Sequence, residues 1–229
     1  MGQLIAGSTE VEITPRENCF LWGYPHVERI SDGVYDPLVS SSLYLSDGKS
    51  RQLFIANDLI FVSKDLCQRI RKHITAETGI PGESILISAT HTHSGPTIVN
   101  AASNADDPHV PPADEAYLEF LVRRVSEGAC ESVRCAFPAE IGIASAEIEG
   151  VGTNRLNPKG PTDKEAFVAL VRGKGSGDFI SCMIVYAMHP TVLHEDSTLI
   201  SADFPGMVRY YLKDHVLGKH CPLVYHNGV

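Results

Sequence analysis

The sequence predicts an α/β fold in which mixed β-sheets are flanked by helices. The first observation is a strand–helix–strand order, in which a strand pattern at 50–60 and another at 81–90 enclose a strong helical pattern. That order is typical of a βαβ unit, whose two strands lie parallel. The second observation is a later series of strand patterns separated by turn residues, at 139–148, 166–173 and 178–188.

The N-terminal elements follow in order. Residues 3–14 alternate partly between apolar and polar side chains and predict an opening strand that ends before Pro15. The loop 15–37 is rich in aromatic and turn residues, and loops of this length in compact domains are often functional. Segment 38–48 is expected to pair with 50–60 as a hairpin that turns at Asp47-Gly48.

The clearest helix begins after Ser63, a good N-cap residue, and ends at Gly79, a plausible C-cap. Its apolar side chains recur every four residues and so mark one buried stripe, formed by Leu66, Ile70 and Ile74.

The C-terminal half continues the mixed pattern. The polar, proline-rich loop 97–114 is expected to form the rim of an active site. Residues 115–133 predict a second amphipathic helix, 204–216 a third with Pro205 near its start, and 221–229 a last strand. The glycine-rich segment 173–178 lies between two strands, so it predicts a hairpin and not a phosphate-binding loop.

The composition narrows the classes of partner. The chain has 229 residues and a formal net charge of −9, which argues against nucleic-acid binding because that requires clustered Lys and Arg.

No apolar segment approaches the roughly 20 residues of a transmembrane helix. The N-terminus lacks the pattern of a signal peptide, so the expected location is the cytoplasm, or outside the cell if a leader has been removed. The expected partner is a small-molecule amide or lipid substrate, and the oligomeric state is left open.

The six cysteines form no C-x-x-C pair. Free thiols are therefore expected in preference to a disulfide framework or a thiolate zinc site.

Two apolar runs each end in histidine just before a turn. His91 and His93 follow the run at 85–89, and His189 follows the run at 179–188. If the two strands are parallel neighbours, His91 and His189 converge at the carboxyl edge of the sheet, where a shared metal ion would satisfy both rings. The alternative is that each histidine simply bonds a nearby backbone group.

Three further polar residues stand near these motifs. Asp58 ends the strand at 50–58, and Asp203 precedes the third helix. Either carboxylate could orient a metal-bound imidazole, although helix capping is the favoured role for Asp203. His194 lies in a polar loop and is expected to face solvent.

Several short motifs occur in one order along nearly the whole chain, and together they resemble the N-terminal catalytic domain of the neutral/alkaline non-lysosomal ceramidase family. The motifs are EITP at 12–15, YDPL at 35–38, AND at 56–58, SATHTHSGP at 88–96, TNR at 153–155, HPTVL at 189–193 and LISADFPG at 199–206.

The resemblance implies a zinc-dependent amidohydrolase that cleaves the N-acyl amide bond of ceramide-like lipids. It implies that His91 and His189 bind Zn²⁺ and that His93 and Arg155 act on the substrate as catalytic and substrate-binding groups. His93 is expected to stand apart from the ion, because it is so near to His91 in sequence, and to assist proton transfer or the oxyanion. The planar donors of Arg155 suit a polar head group, whereas a surface salt bridge is the alternative.

The resemblance also implies that a later glutamate and tyrosine complete the zinc site and that a serine lies near the scissile bond. The chain 1–229 is therefore expected to be an N-terminal catalytic domain that is incomplete at its C-terminus. Two alternatives stay open: a metal-dependent hydrolase of another amide or ester, and a non-catalytic binding scaffold.

Overall fold

Twelve strands are present in the computed structural model, which describes residues 2–100 and 107–228. In chain order they are β1 (Ile5–Glu12), β2 (Leu21–Trp22), β3 (Gly33–Val34), β4 (Val39–Ser46), β5 (Arg51–Asn57), β6 (Ile85–Ala89), β7 (Gly95–Pro96), β8 (Phe137–Glu147), β9 (Glu165–Gly173), β10 (Phe179–Tyr186), β11 (Leu199–Ile200) and β12 (Leu223–Asn227).

Eight of these strands form one mixed sheet in the order β12-β10-β9-β8-β1-β4-β5-β6. The pairs β5–β6 and β10–β12 are parallel, and the other neighbours are antiparallel. The predicted α/β class and the predicted βαβ unit are confirmed, since β5 and β6 are parallel and are joined by a helix. Short pairs link β2 to β7 and β3 to β11.

The sheet folds over so that its two halves face each other. The first half consists of β1, β4, β5 and β6, and the second of β8, β9, β10 and β12. Side chains from both halves share one apolar cluster, which includes Leu43, Ala56, Val171 and Val224. The outer strands β6 and β12 thereby meet, and Ser88 Oγ lies 2.6 Å from His226 Nδ1.

Helices α1 (Lys64–Thr78) and α2 (Glu115–Arg134) pack on the outer face of the first half, against a cluster that contains Tyr44, Leu53 and Ile55. Helix α3 (Asp203–Leu212) packs its apolar side chains on the second half, where the rings of Phe204 and Tyr225 are 5.6 Å apart. A π-helical turn at Lys213–Leu217 follows α3.

The capping residues of α1 are as predicted. Ser63 accepts a hydrogen bond from the Leu66 N–H, and Gly79 adopts the left-handed conformation with φ of 66°. The predicted stripe of Leu66, Ile70 and Ile74 is buried. The hairpin between β4 and β5 and the hairpin turn at 173–178 are also confirmed.

The structure corrects the assumption about the histidine-bearing strands. β6 and β10 are not neighbours, because they belong to opposite halves of the folded sheet. The predicted rim loop 97–114 is described only in part, since 101–106 lie outside the described residues. The six cysteines are free thiols, as predicted. Among the described residues, no helix combines the length and the apolar character needed to span a bilayer.

Candidate metal centre

The three histidines of the two motifs lie together at one end of the folded sheet. His91 follows β6 by two residues, and His189 follows β10 by three. One ring nitrogen from each of His91, His93 and His189 lies within 4.8 Å of the other two. The two halves of the sheet therefore bring the motifs together by facing each other, and not by strand pairing.

The nitrogen spacing suits a small cation. His93 Nε2 is 3.5 Å from His91 Nε2 and 2.7 Å from His189 Nε2. Two nitrogens on one tetrahedral zinc ion are about 3.4 Å apart at normal Zn–N lengths. The first spacing fits directly, and the second requires the two nitrogens to separate by about 0.7 Å. The argument that His93 is too near to His91 to share an ion is therefore wrong on geometry, because the rings project to a common point.

His91 is held by the backbone that follows β5. Its N–H donates to Leu59 O at 2.9 Å, and its Nδ1 lies 2.8 Å from Ile60 O. The residue adopts a φ of 73°, a conformation that is uncommon outside glycine. Contact with a carbonyl places the ring proton on Nδ1 and leaves Nε2 free, which is the usual arrangement of a metal-binding histidine.

His93 is buried beneath the loop that carries β2. A side chain added at Gly23 would place its Cβ 2.5 Å from the His93 ring, so only glycine permits this approach. Tyr24 packs edge-on against the ring at a centroid distance of 5.3 Å. His93 Nδ1 is buried, and among the described residues it makes no hydrogen bond of good geometry, although the backbone of Gly23 lies close enough to oppose the lowering of the pKa of the ring. His93 thus lacks the orienting partner that His91 has.

His189 is held through the loop that follows it. The Asp203 carboxylate accepts hydrogen bonds from the Leu193 N–H at 2.9 Å and the Val192 N–H at 3.2 Å. It also accepts from the Phe204 N–H at the start of α3. The first turn of α3 therefore fixes the backbone just beyond His189.

The electrostatics of the cluster favour neutral imidazoles. Burial, followed by the neighbouring His189 and His91, lowers the pKa of His93 to about 3. Burial also lowers the pKa of His189, with further contributions from His91 and the Arg155 guanidinium, while Asp203 opposes the shift. Neutral imidazole is the form that coordinates a cation.

The two aspartates have other roles than orienting the rings. Asp58 is fully buried, and both its oxygens accept from Arg209 Nη2, at 3.0 and 2.9 Å. Ala202, and not Asp203, occupies the N-cap position of α3. Asp36 supplies the carboxylate at that helix end by accepting from the Ala202 N–H at 3.1 Å and from the Ser201 hydroxyl. Within the described residues neither Asp58 nor Asp203 bonds a ring of the cluster.

Arg155 and His194 lie where solvent reaches them. Arg155 belongs to the loop between β8 and β9 and is exposed, yet it is near enough to His189 to affect the pKa of that ring. His194 is exposed, as predicted.

An aromatic wall stands beside the cluster. The Phe61 ring is 5.1 Å from the His91 ring and 5.3 Å from the Trp22 ring, and Phe61 is 46% exposed. A separate cavity of about 490 Å³ lies between the loop 15–20 and the start of α2, and its lining includes Phe20, Pro112 and Tyr117 but none of the three histidines.

The sequence alone did not indicate a role for several residues of the metal centre. Gly23, Tyr24 and Arg29 lie in the long loop 15–37, whose length marked it as functional without indicating which side chains matter. Arg209 carries no local signal, because its partner Asp58 is distant in sequence.

Comparison with known proteins identifies the group to which these features belong. A family model described as neutral/alkaline non-lysosomal ceramidase, N-terminal, matches residues 5–223. The neutral ceramidase of Mycobacterium tuberculosis (strain ATCC 25618 / H37Rv) is 24% identical over 226 residues, and the match covers 88% of this chain. It covers 34% of that relative, so the chain spans about a third of the relative's length.

Two solved structures share the fold. The neutral ceramidase from Pseudomonas aeruginosa superposes with a TM-score of 0.88 at 19% identity, over 99% of this chain and 38% of that one. A ceramidase described as complexed with C2 gives a TM-score of 0.86 at 18% identity, with the same coverage.

Proposed function

Since this chain belongs to the neutral/alkaline non-lysosomal ceramidase family, we propose that it forms the histidine-bearing part of a zinc-dependent amidohydrolase acting on the N-acyl amide bond of ceramide-like lipids. The observation that carries the proposal is the convergence of three imidazole nitrogens within 4.8 Å. The lowered pKa values of His93 and His189 support it further, because they favour the neutral imidazole that a cation binds.

His91 and His189 are the proposed ligands in this chain. His91 is supported by its Nδ1 contact to Ile60 O, since an oriented second nitrogen is typical of metal-bound histidine. The assignment of His189 is supported by the 2.7 Å distance between its Nε2 and His93 Nε2. It is also supported by the hydrogen bond that the Asp203 carboxylate accepts from the Leu193 N–H, which holds the backbone after His189. A bound Zn²⁺ supplies Lewis acidity and lowers the pKa of a coordinated water to about 7.

His93 is proposed to address the substrate. Its Nδ1 lacks the orienting partner seen for His91, which favours this role over permanent ligation. A pKa of about 3 makes His93 a weak base, so its neutral ring is better suited to hydrogen-bond the reacting amide than to store a proton. Because the His93 ring lies beside both His91 and His189, such a bond would form next to the cation.

Arg155 and the aromatic wall complete the proposed substrate contacts. The guanidinium offers several donors to a hydroxyl or carbonyl head group and lies on the His189 side. Phe61 offers exposed apolar surface on the His91 side, which suits the hydrocarbon of a lipid amide. Hydrolysis adds a hydroxyl to the acyl carbon and a proton to the nitrogen, releasing a fatty acid and a sphingoid base.

The proposal is tested by metal binding and by hydrolysis in parallel. Calorimetric titration of the metal-free chain with Zn²⁺ is expected to give one site in the micromolar range or tighter, and no uptake below high micromolar would support the scaffold alternative. Hydrolysis is measured as the release of sphingoid base from an N-acylsphingosine, with and without a chelator. An O-acyl ester and a short-chain amide serve as comparison substrates, and a preference for either would favour a hydrolase of another class.

His93→Ala separates the roles within the cluster. Retained Zn²⁺ affinity with a loss of hydrolysis of about 100-fold or more is expected for a substrate-facing group. A parallel loss of affinity would assign His93 to the ion.

A further inference from the structure

Arg29 is one of the largest fully buried side chains of the described chain and is 1% exposed. It lies in the loop between β2 and β3, away from the positions that a substrate or an ion would reach. Among the described residues no carboxylate oxygen lies within the 4.0 Å of a salt bridge to its guanidinium. A buried cation without a carboxylate partner is costly, so its contacts must offset that cost.

The contacts of Arg29 join both histidine segments. Its Nη1 donates to the backbone oxygen of His93 at 2.8 Å, and its Nη2 lies 3.4 Å from Ser94 Oγ. Its Nε donates to Ser197 O at 3.0 Å, in the loop that follows His189. The guanidinium is planar and rigid, so it fixes the separation of the carbonyl groups that it bridges.

Tyr24 adds a second connection between the same segments. The guanidinium carbon of Arg29 lies 4.9 Å from the centre of the Tyr24 ring. The Tyr24 hydroxyl donates to Leu193 O at 2.8 Å, and the ring packs on His93. Arg29 therefore supports His93 from its backbone and, through Tyr24, from its side chain.

We infer that Arg29 is a positioning residue that sets the placement of His93 relative to His189. Without it, the segments 91–94 and 193–197 lose the guanidinium that hydrogen-bonds both, and the two imidazoles no longer share a fixed spacing. The inference is tested by two measurements, and only the measurement of Zn²⁺ affinity rests on the proposed function.

The test compares Arg29→Met and Arg29→Lys with Arg71→Met. Arg71 is a matched control, because its Nε and Nη2 also donate to a backbone oxygen, Ile85 O, at 3.1 and 3.0 Å. The first readout is ¹⁵N NMR of the histidine rings in the metal-free chain. The His93 and His189 ring signals are expected to shift or broaden in both Arg29 variants and to stay unchanged in Arg71→Met.

The second readout is Zn²⁺ affinity by competition with a chelating dye. A loss of about 10-fold or more is expected for Arg29→Met, because the bond from its Nε to Ser197 O holds the loop that follows the proposed ligand His189. If the unsubstituted chain binds no Zn²⁺, the proposed function fails, while the ring signals still decide the role of Arg29. Unchanged His93 and His189 signals in a folded Arg29→Met protein overturn the inference. If Arg29→Met does not fold, unchanged signals in Arg29→Lys overturn it equally, because an ammonium lacks the planar, spaced donors that fix the separation of the two carbonyls.

Discussion

Two segments bring polar side chains to the proposed site, and they are held in different ways. Segment 91–97 is tied to other elements: Thr92 Oγ1 donates to Ser201 O at 2.7 Å, and Ser94 O accepts from the Ser201 N–H at 2.9 Å. The loop between β8 and β9, which carries Arg155, is held largely by itself. Asn154 Oδ1 accepts from the Leu156 and Asn157 N–H groups, each at 3.0 Å.

The difference indicates that the histidine cluster is formed before anything binds, whereas the arginine can move. A preformed cluster avoids the entropic cost of ordering its ligands when a cation binds. A loop that is held mainly by its own hydrogen bonds can shift as a unit and keep its internal turn. Such a loop suits a side chain, here Arg155, that adjusts its position to the substrate. The comparison makes separate predictions for the anchored segment and for the loop.

The largest expected effect is the removal of a ligand from the anchored segments. His91→Ala or His189→Ala is expected to lower Zn²⁺ affinity by at least about 100-fold, since loss of a ligand exceeds loss of an orienting group. Calorimetric titration measures this, with His194→Ala as a control in the same loop as His189. Full zinc occupancy in either variant would contradict the assignment of that histidine as a metal ligand.

The next effect tests whether the cluster is rigid. Gly23→Ala places a Cβ 2.5 Å from the His93 ring at a backbone φ of +141°. We expect a loss of about 1–3 kcal/mol in the free energy of unfolding and a 10- to 100-fold lower kcat/KM with Zn²⁺ affinity retained, because the displaced ring is the proposed substrate-facing group. Gly177→Ala is the control, because its φ is also positive but nothing lies within 4 Å of the added carbon. Equal losses of kcat/KM in both variants would mean that contact with His93 is irrelevant.

A smaller effect is expected in the loop. Arg155→Ala should leave Zn²⁺ affinity within about twofold and lower kcat/KM by about 10-fold, as loss of one or two hydrogen bonds to a charged group would do. Steady-state kinetics and titration on one preparation check this. A large loss of zinc affinity would contradict the division between anchored cluster and mobile loop.

The last effect is the response of the metal-free chain to acid. The pKa of His93 is lowered to about 3 in the folded state from an ordinary value of 6.5, so the unfolded chain binds a proton that the folded chain does not. Stability contributed by the neutral ring is present above pH 6.5 and falls as the pH drops from there towards 3. Urea unfolding at pH 7, 5 and 4 should show this decline.

His93→Gln is the variant that isolates this contribution. It should show a shallower decline, although His226 has a pKa lowered to about 4 by burial and contributes its own part. A slope identical to that of the unsubstituted chain would show that His93 titrates normally.

Local patterns predicted most of the elements because their causes are local. The N-cap at Ser63, the left-handed Gly79 and the four-residue repeat of Leu66, Ile70 and Ile74 all lie within one helix. The meeting of His91 and His189 was predicted, but for a wrong reason. Adjacent parallel strands were assumed, whereas the sheet folds over and its halves face each other.

The parts that sequence did not predict depend on long-range partners. Asp58 was expected near a histidine, but Arg209 on α3 takes both its oxygens. Helix capping was expected from Asp203, but Ala202 is the N-cap residue, and Asp36 from a distant part of the chain accepts from its N–H while Asp203 accepts from the Phe204 N–H. Nothing near either aspartate in sequence indicates which distant group will reach it.

The left-handed backbone at His91 limits which chemistry could replace this imidazole. With φ at 73°, the position accepts glycine, asparagine or aspartate with little strain, whereas branched side chains are disfavoured. An exchange to an oxygen donor, and hence to a harder ion such as manganese, is therefore compatible with the main chain as it stands. The main-chain torsion alone thus favours glycine, asparagine and aspartate as replacements, before any preference of the ion is considered.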